Sequence, residues 1–364
     1  MAPVLDQRSP DLATVVMSTS PAGRFDFDGA LVIRDQASGR IWLLQDAAAE
    51  ACRSLDEAEA TAALSAIYGD TAAPKVMMGQ PWLPHHPFPK LDRCLADGAG
   101  VLRLRVWDDR LAAILEQMLS PLVVDAPPGS TLDLFVDGER TAIARDGHVV
   151  QEDLGIGWWG LIRSLARMLY PNRVWLGVLH AATVLSPGGA AITLVGISGS
   201  GKTTLAGGLI ASGASLLSDD ATAIEAGSHL AWPCPLAMGV KQGSWPIFTS
   251  LFPDFATTPV VRFGSRVIRY FPAPRMARDE GHPLKALLFP TWRAGASLRA
   301  QRVRPSEALR LLAESGMMPP EDDLHVAELL DWLESLPTWR LDYSDLDEAV
   351  SFVRQLGEGD ASLA

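Results

Sequence analysis

The sequence predicts an α/β protein, a mixed sheet flanked by helices, with a smaller α+β part at the N-terminal end. Three observations predict it. The stretch "GISGSGKT" at 196–203 sits between an apolar β-like run and a helical run, the strand–loop–helix context of a phosphate-binding loop. Strand-like and helix-like segments alternate through the rest of the chain. At 364 residues the chain is too long for one small core, so two domains are expected, 1–118 and 119–364.

The elements follow in order. Residues 1–25 carry Pro3, Pro10, Pro21 and Gly23 and read as loosely ordered. "DGALVIRDQASGRIWLL" reads as a β-hairpin turning at "DQASG". "AAAEACRSLDEAEATAALSAIYG" has helical composition, and the proline-rich 72–90 reads as a linker or surface loop. "VLRLRVW" alternates as a strand, and "DRLAAILEQML" is a helix that Ser120-Pro121 ends. Residues 122–153 hold two Asp-Gly turns between alternating runs, a β-meander. "WWGLIRSLARMLY" is an amphipathic helix. "GVLHAATVL" and "AAITLVG" are two apolar strands joined by the Ser-Pro-Gly-Gly turn at 186–189.

The balance of charges narrows the partners. A net charge of −12 argues against nucleic acid and against an anionic membrane surface, both of which want a basic face. Cys52, Cys94 and Cys234 are widely spaced and odd in number. Disulfides and a structural zinc site are therefore not expected. No signal peptide and no run of 18 apolar residues is read, so a cytoplasmic protein is expected.

Residues Gly196 to Thr203 fit G-x-x-x-x-G-K-S/T without a mismatch. Gly196, Gly199 and Gly201 let the backbone wrap so that its N–H groups, including those of Ser198 and Ser200, point inward at phosphate oxygens. The N-terminus of the following helix, with Thr204 in its first turn, adds its positive dipole end. Lys202 would neutralise the β/γ-phosphates of ATP, and the Thr203 hydroxyl would complete a Mg²⁺ shell. The apolar run "ASLLS" then ends in Asp219-Asp220. A strand in that position can lie next to the loop's strand with its C-terminal end at the phosphates. One carboxylate can hold Mg²⁺, and the other can take the proton of an attacking hydroxyl. An Asp pair also serves as a turn or a helix cap, and the position beside the loop favours chemistry.

The segment from His180 to Asp220, "HAATVLSPGGAAITLVGISGSGKTTLAGGLIASGASLLSDD", resembles the HPr kinase/phosphorylase superfamily, in particular its HPrK-related kinases. "WPCPLAMGVKQGS", "PLKALLFPTWRAGA" and "LPTWRLDYSDLDEAVSFVRQLG" are similar to later family segments. The resemblance covers about residues 120–357. It implies a P-loop fold shared with phosphoenolpyruvate carboxykinase. His180 matches the family's active-site histidine, Asp219 its general base and Asp220 its second acidic position near Mg²⁺. Lys241 matches a frequent family lysine. An arginine often assists the transferring group, and Arg262, Arg266, Arg269 and Arg275 are all candidates. "RFGSRVIRYFPAPR" lacks the second glycine-rich signature of the bifunctional enzymes. The resemblance then implies a serine (or threonine) kinase of the kind found in lasso-peptide and related ribosomal-peptide biosynthesis, acting on a peptide or small protein. Relatives form oligomers, and a homo-oligomer is left open here.

The rival readings are an HPr-type regulatory kinase/phosphorylase, a small-molecule kinase and a non-catalytic nucleotide-binding module. Residues 1–118 serve either packing or peptide recognition. His85-His86 lack a third ligand at suitable spacing and read as a polar loop. Glu321-Asp322-Asp323 reads as a solvated loop or helix start, and Trp245 is a candidate wall of an acceptor groove.

Overall fold

A computed structural model describes residues 13–15, 23–34, 41–53, 60, 88–96, 100–137, 140–154, 169–170, 172–263, 266–278, 280–317 and 323–358. The turn "DQASG", most of the linker 72–90 with His85-His86, most of the helix expected over 158–170 and Glu321-Asp322 lie outside these residues.

The N-terminal part is an antiparallel sheet of β1 (Ala13–Val15), β2 (Arg24–Phe27), β3 (Ala30–Arg34) and β4 (Ile41–Leu44), in the order β1-β4-β3-β2. Asp28 and Gly29, at φ 48° and 78°, make the two-residue turn between β2 and β3, a conformation that Asp-Gly adopts cheaply. Alternation then sends the side chains two ways. Leu31, Ile33, Trp42 and Leu44 meet Ala49 and Cys52 of α1 (Asp46–Arg53). Phe27, Ala30, Val32, Ile41 and Leu43 enter the core of the C-terminal half.

A five-stranded sheet follows, made of β5 (Leu91–Ala96), β6 (Val101–Val106), β7 (Ser130–Asp137), β8 (Arg140–Arg145) and β9 (His148–Leu154) in chain order. The β6–β7 pair is parallel, and α2 (Asp109–Met118) makes the crossover. The Asp108 carboxylate caps α2 by accepting from Leu111 N–H at 2.7 Å. β7–β9 form the expected meander. The sheet joins strands from both sides of residue 118.

The largest sheet has nine strands. β10 (Trp175–Leu179), β11 (Ala181–Leu185) and β12 (Ala191–Val195) lead into α3 (Lys202–Ala211), then β13 (Ser215–Ser218), β14 (Thr222–Glu225) and β15 (Leu230–Trp232). A three-stranded sheet interrupts the sequence. It is formed by β16 (Met238–Lys241), β17 (Val260–Phe263) and β18 (Arg266–Phe271), with α4 (Trp245–Leu251) between the first two. The chain then returns to the large sheet through β19 (His282–Trp292), β20 (Arg299–Arg302) and β21 (Thr338–Tyr343). Helices α5 (Pro305–Ser315) and α6 (Asp323–Ser335) precede β21, and α7 (Leu346–Glu358) follows it.

The order β10-β14-β15-β19-β12-β11-β13, with β21 beside β19 and β20 beside β21, fixes the site. β12, β19 and β21 run parallel, and β11 runs antiparallel to both β12 and β13. The C-terminal ends of β12, β13, β19 and β21 therefore open on one edge, where such sheets bind ligands. Two expectations change. β13 does not lie next to β12, because β11 stands between them. "GVLHAATVL" is not one strand but two, broken at His180, because β10 pairs with β14 while β11 pairs with β12 and β13. Helices cover both faces, with α3 and α7 on one core and α5 and α6 on the other. Among the described residues no helix is long and apolar enough to cross a membrane.

Candidate functional site

The glycine loop 196–203 leaves β12 and closes on α3. Gly196, Gly199 and Gly201 take φ of 157°, 93° and 101°, values that L side chains rarely adopt. At Gly201 space forbids a side chain as well. A Cβ there would lie 2.6 Å from the Tyr343 hydroxyl and 3.2 Å from Trp292 Cβ. The loop is tied down from several directions. Trp292 N–H donates to Ser200 O at 3.0 Å, and Tyr343 O–H donates to Gly201 O at 3.3 Å. Lys202 is 5% exposed and donates to Gly196 O and, at 3.2 Å, to Ile197 O. Burial lowers the pKa of its ammonium, while the charges of Asp220 and Asp219 oppose that shift.

The carboxylate pair follows β13. Asp219 is 1% exposed. Its Oδ2 accepts from Gly239 N–H at 3.0 Å, and its Oδ1 is buried without a hydrogen bond of ordinary geometry. Burial first, and the Asp220 charge second, push its pKa up to about 7. Asp220 adopts φ 65°, a left-handed conformation that Asp tolerates, and its side chain lines the cleft in front of Asp219.

His180 sits at the break between β10 and β11, beside the start of the loop because Ala181 pairs with Val195. Its Nδ1 is 2.8 Å from Ser315 O. A carbonyl only accepts, so Nδ1 carries a proton there. The other ring nitrogen, Nε2, lies 3.6 Å from Asp220 Oδ1.

Beneath these groups runs a buried hydroxyl chain. Thr183 Oγ1 is 2.8 Å from both Thr193 Oγ1 and Thr222 Oγ1, and Thr222 is 2.6 Å from Ser218 Oγ. All four residues have no exposure. The chain links β11, β12, β13 and β14, and it brackets Asp219-Asp220 between Ser218 and Thr222.

The facing wall is the three-stranded sheet. Lys241 at the end of β16 donates to Ser198 Oγ, and Thr204 Oγ1 is 2.8 Å from Ser244 Oγ just beyond. Burial lowers the Lys241 pKa, and the Arg266 charge lowers it further. Every second residue of β18, namely Arg266, Ile268 and Tyr270, points into the cleft, whose volume is about 120 Å³. Burial, and then the charge of Asp220, pushes the Tyr270 phenol up. A Cβ at Gly239 would lie 3.6 Å from both Asp220 Oδ2 and Tyr270 Cε1, ordinary contact distances that place this strand directly beside the carboxylate and the phenol.

Of the four candidate arginines, only Arg266 lines the cleft. Arg269 donates to Phe255 O at 3.0 Å and to Ala256 O, and lies over the Trp245 ring at 4.7 Å. Arg275 donates to Ile210 O at 2.9 Å, at the C-terminal end of α3. Arg262 is on β17, outside the cleft lining. Trp245 donates to Val240 O at 3.0 Å and supports the wall from outside the lining. Ser198, Gly199, Gly201, Lys202, Thr203 and Thr204 thus share one cleft with His180, Asp220 and Lys241, while Gly196, Ser200 and Asp219 lie outside its lining. Gly239, Tyr270 and the hydroxyl chain were not singled out from sequence, and Arg266 stood there only as one of four candidate arginines. Their alternation along β11, β16 and β18 was the only local signal.

The fold and the site define a class: a mixed α/β protein whose glycine loop, carboxylate pair and three cations gather at one cleft on a sheet edge. No protein-family model matches the chain, and no curated protein matches it.

Proposed function

We propose that the protein is an ATP- and Mg²⁺-dependent kinase that transfers the γ-phosphate to a serine or threonine hydroxyl of a peptide or small protein. In this reading the large sheet is an HPr kinase-like P-loop fold. The single observation that carries it is Asp219, a buried carboxylate with its pKa pushed to about 7, set behind a cleft that the glycine loop and cations line. A general base works best when its pKa is near the working pH. A buried carboxylate oxygen without a hydrogen bond asks for a partner, and an acceptor hydroxyl would supply one.

The acceptor hydroxyl gives its proton to Asp219 as its oxygen bonds to the γ-phosphorus. The bond from that phosphorus to the β–γ bridging oxygen breaks, and ADP leaves. Asp219 is reached past Asp220 and Gly239, and catalytic contacts of this kind tighten when substrate binds. Lys202 and the loop amides hold the phosphates, and Lys241 and Arg266 flank the transferring group. His180, fixed by Ser315 O, orients Asp220.

The donor set fits Mg²⁺. Thr203 and Asp220 both line the cleft with oxygen ligands, and this ion takes few protein ligands, leaving the rest to phosphates and water. Among the described residues no group of three His, Cys, Asp or Glu side chains could hold a metal, and a Mg²⁺ site of this kind needs none. When bound, Mg²⁺ would neutralise charge on the phosphate oxygens.

The test is intact mass after incubation with Mg²⁺-ATP and peptides encoded beside the gene. A gain of about 80 Da, one phosphoryl group, is expected with the wild type and none with Asp219→Asn, which should still bind ATP. Full transfer by Asp219→Asn would overturn the role of Asp219.

A further inference from the structure

We infer that the exposed indole of Trp292 is the stacking platform for the nucleotide's base. The inference rests on the kinase reading above. A single exposed hydrophobic side chain is ordinary on its own; Trp292 is 51% exposed at the end of a strand whose residues Ala286 to Pro290 are buried.

Three observations turn that exposure into a site. First, the residue is joined to the loop. Its N–H donates to Ser200 O, and its Cβ is one of the atoms that exclude a side chain at Gly201. Second, the ring is held. Nε1 donates to Ser344 O at 3.2 Å, which fixes the indole plane. Third, the topology gives the loop two flanks. On the β11–β13 flank lie His180 and the carboxylate pair, at the cleft that Lys202, Lys241 and Arg266 also line. On the other flank the parallel strands β19 and β21 end at Trp292 and Tyr343. Triphosphate chemistry belongs among the charges. A neutral aromatic base, leaving the loop at the opposite end of the nucleotide, meets the indole.

The carbonyls around the ring are already engaged. Ser344 O accepts from the indole, and Tyr343 O accepts from Arg293 N–H at 2.9 Å. The platform therefore recognises a π-face more than a hydrogen-bonding edge. Stacking of this kind tolerates every base.

The experiment compares the affinities of Mg²⁺-ATP and Mg²⁺-tripolyphosphate for the wild type, Trp292→Ala and Trp292→Phe by titration calorimetry. A thermal melt shows each variant folded. Trp292→Ala should weaken ATP about 10-fold, the size of one lost base stack, and leave tripolyphosphate unchanged. Trp292→Phe should keep most of the ATP affinity. Equal ATP affinity in wild type and Trp292→Ala overturns the platform and leaves the kinase reading standing. An equal loss for both ligands also overturns it, since the ring would then only prop the loop. A wild type that binds neither ligand sinks the kinase reading itself.

Discussion

Asp219 has traded water for backbone hydrogen bonds, and its titration carries the consequence. Its folded pKa of about 7 lies above the ordinary carboxylate value of about 4. Between those two pH values the folded state holds a proton that the unfolded state has lost. Stability from this group is therefore full below about pH 4 and is lost as the pH rises toward 7. Asp219→Asn removes that dependence. Its Tm should exceed the wild type's at pH 8, and the gap should close toward pH 4. A gap that does not change with pH would mean that Asp219 titrates normally. The loop and the Asp pair were legible in the sequence because each is contiguous and both lie within 25 residues of one another. Arg266 could not be told from Arg269 there. Only the pairing of β16 with β18, Gly239 opposite Tyr270 and Val240 opposite Arg269, sets which arginine faces the cleft.

At the scale of elements, α3 carries the adjacent glycines Gly207 and Gly208 where helix propensity argues against both. Packing explains them. A Cβ at Gly207 would lie 2.7 Å from Phe248 Cζ, and one at Gly208 would lie 2.8 Å from Val350 Cγ2. Phe248 cannot swing aside, because Phe252, Phe255 and Phe271 surround its ring. Gly207→Ala should therefore lower Tm by a few degrees. Overpacking costs about 1–3 kcal/mol, more than the helix-propensity gain of about 1 kcal/mol. An unchanged or higher Tm would show that α4 yields. The helix itself was readable from "TTLAGGLIASG"; its glycine face was not, since α4 and α7 lie far along the chain. The same limit hid the break at His180. Its flanking residues are apolar without interruption, and only the different partners of β10 and β11 divide them.

Over the whole molecule, cores cross the boundary that length suggested. Leu95, Leu104 and Ile114 share a cluster with Leu132, Val178 and Tyr270. The N-terminal sheet shares another with Leu287, Leu309 and Leu329, and Asp28 Oδ2 accepts from Ser306 N–H and Oγ–H at 3.1 and 2.7 Å. A chain starting at residue 119 loses β5, β6 and α2 from the first cluster. It should unfold in urea without a sharp transition, and a cooperative transition would show that 119–364 stands alone. Length pointed to two units, but the parallel β6–β7 pair is non-local and left no mark in composition. Lys202 offers a last consequence. Its ammonium already closes the loop on Gly196 O and Ile197 O, so an arriving phosphate exchanges partners rather than ordering a disordered segment. Association should then be fast and the heat-capacity change of binding small, as for a preformed receptor. A large negative heat-capacity change in calorimetry at several temperatures would mean that the loop folds around its ligand instead.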